Sequence, residues 1–188
     1  MTGEDAPLSI VHREMLIADL LAAVLSVIAG YTDWRSRRIP NWLTLPALLI
    51  GVLVNSLSRG WPGTKDSLLG AGLGLALLLP FVVIRALGPG DWKLVGALGA
   101  FLGPRQLIVV LIVTIFVNGA MALGMIVWKK RVKQSARNFL QLLAAFGTFQ
   151  MPGRELTLDN PEAVKVPFGI AVAVAMVIYT VGKMWVRA

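Results

Sequence analysis

Residues 106–128, from Gln106 to Trp128, include no charged side chain. A helix of that length, rising about 1.5 Å per residue, crosses a hydrocarbon core of roughly 30 Å. Similar apolar runs recur along the whole chain, separated by short polar turns. They read as spans at about 15–30, 42–57, 67–87, 92–103, 106–128 and 166–185. The expected fold is therefore all-α: a polytopic membrane protein, a bundle of six transmembrane helices in one domain over residues 1–188.

Composition agrees. The chain is 56% hydrophobic and only 15% charged, against roughly 25% charged in a soluble domain. The net charge of +8 raises the question of nucleic acid. But the basic residues lie between apolar runs rather than on one face or tail, as topogenic signals do, so no nucleic-acid partner is expected. There is no cysteine, and His12 is the single histidine. That excludes disulfides, a thiol nucleophile and multi-histidine metal sites, and no metal or cofactor is expected.

Breakers punctuate the runs. Residues 1–14 are mixed and expected to be poorly ordered. Pro40 suits the first turn of the second span. Gly60, Pro62 and Gly63 mark a turn over residues 58–66. Gly70 and Gly74 give the third span a small face for close helix packing. The fourth run is short, reaching about 18 Å, and Gly96, Gly99, Ala100 and Gly103 suit it to the middle of a bundle. Residues 129–165 form the one long polar section, expected to be a cytoplasmic loop. Within it Phe139, Leu142, Leu143 and Phe146 share one helical face, as on a membrane-surface helix or one packed on the bundle.

Alternating six spans sorts the 18 Lys and Arg residues into twelve on one side and six on the other. The richer side holds Arg35, Arg37, Arg38, Arg85, Lys93 and the basic residues of 129–165. By the positive-inside rule it is cytoplasmic, with both termini outside. Asp33 follows the first span and Asp91 precedes the fourth, so both carboxylates fall on the cytoplasmic side.

An ionisable group at the mouth of a membrane segment is costly and marks a functional site. Asp91 stands in Gly88-Pro89-Gly90-Asp91-Trp92-Lys93, ahead of the small and apolar residues 94–103. Asp33 is its natural partner. Hydrolysis of an amide needs water activated on one side of the carbonyl and a proton supplied on the other. Two close carboxylates sharing one proton do both. Gly88 and Gly90 lack Cβ atoms, so a peptide can approach Asp91 closely. Lys93 either tempers the site's charge or serves only as a topogenic residue. Asp19, fourteen residues before Asp33, is about 21 Å away along a helix and cannot share the site; Lys183 is a candidate partner for it.

With these motifs in hand, the chain resembles the type IV prepilin peptidase family of GxGD membrane aspartic proteases. The likeness rests on Asp33 before Ile39-Pro40-Asn41, on Gly88-Pro89-Gly90-Asp91-Trp92-Lys93, and on Val166-Pro167-Phe168-Gly169-Ile170-Ala171, in order over roughly residues 15–185. It implies Asp33 and Asp91 as the catalytic pair. It also implies supporting roles for Gly88, Gly90, Lys93, Pro40, Asn41, Pro167 and Gly169. The implied substrate is a prepilin or pseudopilin precursor, losing a short basic leader at the cytoplasmic face of the inner membrane. Bifunctional family members carry an added methylating domain, often with a CxxC zinc site. Neither that domain nor a cysteine is found here, so methylation is not implied. The likeness leans to the compact peptidases of tight-adherence (Flp) pilus systems, with archaeal preflagellin peptidases as the alternative. Association with further copies of the chain is left open. From a different class, a small proton-coupled transporter would also use paired acids, but the inverted repeat that would favour it is not evident.

Overall fold

The computed structural model describes residues 5–128 and 167–185, and every regular element in them is an α-helix. These are α1 (Asp5–Ser36), α2 (Asn41–Val83), α3 (Pro89–Trp128) and α4 (Phe168–Trp185). All four are long and apolar enough to cross a membrane. The section 129–165, with its expected surface helix, lies outside the described residues.

Helices α2 and α3 each fold back on themselves, and glycine is where they do it. Gly60 takes φ 60°, ψ −143°, and Gly103 takes φ 74°, ψ 174°. Only glycine visits that region without strain. Pro62 and Pro104 follow, each withholding an N–H in the first turn of the returning segment, where none is needed. The folding back is visible in the contacts. Asn55 Nδ2 lies 3.0 Å from Ser67 Oγ, and Thr64 Oγ1 donates to Ser56 Oγ at 2.7 Å. In an unbroken helix residues twelve apart would be about 18 Å apart. On α3, a Cβ on Gly74 would lie 3.0 Å from Val95 and 3.1 Å from Leu107, so those two, again twelve apart, converge on one point of α2.

The break in α3 creates a polar problem that α2 solves. The Ala100 carbonyl faces Pro104, which has no N–H to offer, and an unsatisfied carbonyl in lipid is costly. The Asn55 amide donates to the Ala100 and Phe101 carbonyls, both at 2.9 Å. The Ser67 hydroxyl also donates to Ala100. Arg59 then bonds Asn55 Oδ1 at 2.7 Å and pairs with Asp66 at 3.1 Å.

The first segment of α3 is the hub. Residues 94–103 are all buried, with Leu94, Val95, Leu98 and Phe101 meeting Ala22, Leu25 and Ala29 of α1 and Val172, Ala175 and Met176 of α4 in one core. Glycines set how closely its neighbours approach. A Cβ on Gly70 would sit 2.1 Å from the Gly99 carbonyl oxygen, so α2 and α3 cross backbone to backbone there. Outside this hub the surface is apolar: Leu49, Leu57, Leu69 and Phe116 are exposed, as on a lipid-facing exterior.

Helix α1 extends back into the lead, from Asp5. One expectation changes. The turn over 58–66 narrows to Gly60, because one glycine in a left-handed conformation reverses a helix that a longer loop was expected to reverse.

Candidate active site

Asp33 sits in the last turn of α1. The helix stops four residues on, where Arg37 takes φ 51° and its N–H donates to the Asp33 carbonyl at 2.8 Å. Arg38 and Ile39 then lead to Pro40, whose φ −74°, ψ 146° is the extended conformation proline favours before a helix. Asn41 opens α2. This turn carries the chain from Asp33 back into the bundle within a few residues, so both of its ends border the same space.

Asp91 enters that space from the first turn of α3. Gly88 precedes the helix, Pro89 begins it, and the Asp91 carboxylate reaches back to accept from the Gly88 N–H. That is how an acid three residues into a helix caps its own start. Both glycines sit in tight places, and at Gly90 the neighbour is backbone that cannot yield. A Cβ on Gly88 would lie 3.0 Å from Asp91 Oδ2, and one on Gly90 only 2.8 Å from the Ile39 carbonyl oxygen. The Gly90 contact presses the Asp91 turn against the turn that follows Asp33.

Together these turns enclose a cavity of about 340 Å³. Asp33 and Asp91 both line it, with Gly88, Pro89 and Gly90 on one wall and Arg37, Arg38, Ile39 and Asn41 on the other. Lys93 also lines it and joins the walls, its Nζ donating to Asn41 Oδ1 at 3.0 Å. Trp92 points elsewhere: its indole N–H donates to the Leu75 carbonyl at 2.7 Å, anchoring the start of α3 to α2.

Asp33 is buried, 7% exposed, and its carboxylate is held by α4. The Gly169 N–H donates to Asp33 Oδ2 at 2.8 Å. A Cβ at 169 would meet Asp33 Cβ at 2.9 Å and the Ala29 carbonyl oxygen at 3.2 Å. Glycine there gives α4 its close approach, and its place in the first turn leaves its N–H free to donate.

Of the residues singled out from sequence, Asp33, Asp91, Gly88, Gly90, Lys93 and Asn41 meet at the cavity, and Gly169 supports it from behind. Pro40 caps α2 beside it. Pro167 stands one residue before α4 and is not among the lining residues. Arg37 and Arg38, which fit a topogenic cluster by sequence, also line the cavity, as does the apolar Ile39. The polar knot around Asn55 went unnoticed; the signal for it was a proline four residues after Ala100.

The fold and this cavity define a helical integral membrane protein with two carboxylates facing one space. Residues 20–123 match the Type IV leader peptidase family, and the chain belongs to that family. Among similar proteins, a prepilin leader peptidase/N-methyltransferase of Aeromonas hydrophila is 32% identical over 138 residues, covering 70% of this chain and 47% of the relative. One of Klebsiella pneumoniae is 36% identical over 99 residues, 49% of this chain and 43% of the relative. One of Neisseria gonorrhoeae is 29% identical over 122 residues, 61% and 42%. The chain thus spans about half the length of the curated relatives it matches. No solved structure matches it.

Proposed function

We propose that this chain is an intramembrane aspartic endopeptidase that removes the leader peptide from pilin-like precursors. The observation that carries the reading is that Asp33 and Asp91, far apart in sequence, border one cavity in a chain of the leader peptidase family. One carboxylate takes a proton from water as its oxygen bonds the scissile carbonyl carbon. The other, protonated, donates to the carbonyl oxygen. Collapse of the tetrahedral intermediate breaks the C–N bond, and the departing amine takes up a proton. Gly88 keeps the space beside the Asp91 carboxylate clear, and Gly90 lets the Asp91 turn lie against Ile39. Lys93 and Asn41 hold the walls together. Family membership favours this over the transporter reading of the same acids.

The proposed setting is the cytoplasmic face of the inner membrane. The two hairpins of α2 and α3 divide four helices into six segments, each of which we take to cross the bilayer. Exposed Trp34 and Trp42 flank the cavity end, while Trp61 and Trp185 lie at the other, as aromatic residues do at the two membrane interfaces. With Arg35, Arg37, Arg38, Arg85 and Lys93 gathered at the cavity end, that end is cytoplasmic. The relatives' name joins a peptidase to a methyltransferase; for this chain we propose the peptidase alone, because its site chemistry is that of paired carboxylates. The stretch Lys165-Val166-Pro167-Phe168-Gly169-Ile170-Ala171 favours Flp-type precursors as substrates.

Co-expression with candidate pilin precursors, read by mass, tests the reading. Loss of a short N-terminal leader is expected with the native chain and not with Asp33→Asn or Asp91→Asn. Equal leader removal with and without those aspartates would refute it.

A further inference from the structure

Helices α1 and α4 run antiparallel and are tied at two points. At the cavity end the Gly169 N–H meets the Asp33 carboxylate. At the far end Lys183 Nζ donates to the Asp19 carboxylate, and Asp19 is only 2% exposed. The ties are fourteen residues apart on α1 and fourteen apart on α4, about 21 Å of helix on each. Both Asp19 and Lys183 lie outside the residues that match the family, and the cleavage chemistry uses neither.

Between the ties the buried faces are small or apolar. Ala22, Leu25 and Ala29 lie on α1; Val172, Ala175 and Met176 lie on α4. Gly30 sits against Ala173, where a Cβ would be 3.0 Å away. The two buried hydroxyls in this stretch bond within their own helices, Ser26 to Ala22 and Thr180 to Met176. Such faces define how close two helices come but resist sliding only weakly. A buried ion pair, by contrast, is a poor source of stability, and its best-attested use is to specify register. Sliding α4 by one turn, about 5.4 Å, would carry Gly169 away from Asp33.

We infer that the largely buried Asp19–Lys183 pair is a register pin, a positioning device that sets α4 along α1 so that the Gly169 N–H meets Asp33. It acts on the active site from the opposite end of the bundle without touching substrate. The inference rests on the peptidase reading for its activity readout, and a register readout stands apart from that.

The chain has no cysteine, so introduced pairs report register cleanly. Ser26 and Met176 are the midpoints between the ties, and both are fully buried. Ser26→Cys with Met176→Cys reads the native register by oxidative cross-linking. Ser26→Cys with Val172→Cys, or with Thr180→Cys, reads a slip of one turn either way. The native background should cross-link mainly at 26/176. Asp19→Leu with Lys183→Met removes the pair without stranding a charge. It should move cross-linking to the slipped pairs and lower kcat about tenfold, with KM changed less than about twofold, as expected for a displaced reacting group. The exchange, Asp19→Lys with Lys183→Asp, should restore both.

Native cross-links with native kcat in the apolar double variant would overturn the inference. So would shifted cross-links with unchanged kcat, or lost kcat with native cross-links. If the apolar variant does not fold, the exchange variant decides: restored register and kcat support the pin, and a folded but slipped exchange variant overturns it. If the native chain cleaves no precursor, the peptidase reading falls. Cross-linking alone then decides the pin, with unshifted pairs in the apolar variant counting against it.

Discussion

The contact between Gly169 and Asp33 shows how little space the site leaves for an added atom. Alanine at 169 would put a methyl group 2.9 Å from Asp33 Cβ, and α4 would have to retreat. An enzyme can lose on the order of 10²-fold when a reacting group moves by about 1 Å. Gly169→Ala is therefore expected to lower kcat on that order while the protein stays folded in detergent. Unchanged kcat would mean that the Gly169 bond does not position Asp33. The same steric argument applies at Gly90, where a Cβ would press on the Ile39 carbonyl. Asp33, Asp91 and the two glycines beside Asp91 were legible in the sequence because a carboxylate between apolar runs demands an explanation. Gly169 was legible only through family likeness. Its bond to Asp33 joins residues 136 apart in sequence, and no local pattern encodes that distance. Arg37 and Arg38 are ambiguous in sequence for a related reason: one charge serves topology and cavity lining equally well, and only coordinates show the lining.

At the scale of the element, the apolar runs and their breakers were readable, but the sharpness of the breaks was not. A proline and two glycines between 60 and 63 look the same whether the turn takes nine residues or one. The decisive quantity is the backbone conformation of Gly60 and Gly103, which follows from tertiary packing. The Asn55 knot depends on that packing and carries its own prediction. Asn55→Leu keeps the volume but removes the side-chain donor to the Phe101 carbonyl and one of two donors to Ala100, and takes the Oδ1 acceptor from Arg59. An unsatisfied buried polar group costs about 1–3 kcal/mol, so the variant should unfold at correspondingly lower temperature in detergent. Asn55 is fourteen residues along α2 from Asn41, about 21 Å from the cavity. Cleavage well below the unfolding transition should therefore stay near the native rate. A stable variant with impaired cleavage would reverse that division of labour. Alanine at Gly103 should destabilise by a similar amount, about 1–3 kcal/mol for a strained backbone position, measured by the same melt.

Over the whole molecule, hydropathy and the placement of basic residues were enough to expect a helical membrane bundle. The short first segment of α3, expected from its small residues at the middle of the bundle, does lie at its centre. That position follows from its glycines, which let α2 approach backbone to backbone. The proposed topology makes a separate prediction. Single cysteines introduced at Arg38 and Trp61, at opposite ends of the first segment of α2, should react with an impermeant thiol reagent from opposite sides of the membrane. Position 38 should be labelled only when the cytoplasmic side is exposed. Labelling of both from one side would break the six-crossing arrangement and the cytoplasmic placement of the site.

The central claim is that Asp33 and Asp91 together cleave a peptide, and single-turnover cleavage by the purified chain in liposomes tests it most directly. With a synthetic precursor in defined lipid, the native chain should release the leader in one exponential phase. Asp33→Asn and Asp91→Asn should each slow that phase by on the order of 10²-fold or more, the scale of a lost general acid or base. Cleavage by either variant at the native rate would contradict the account.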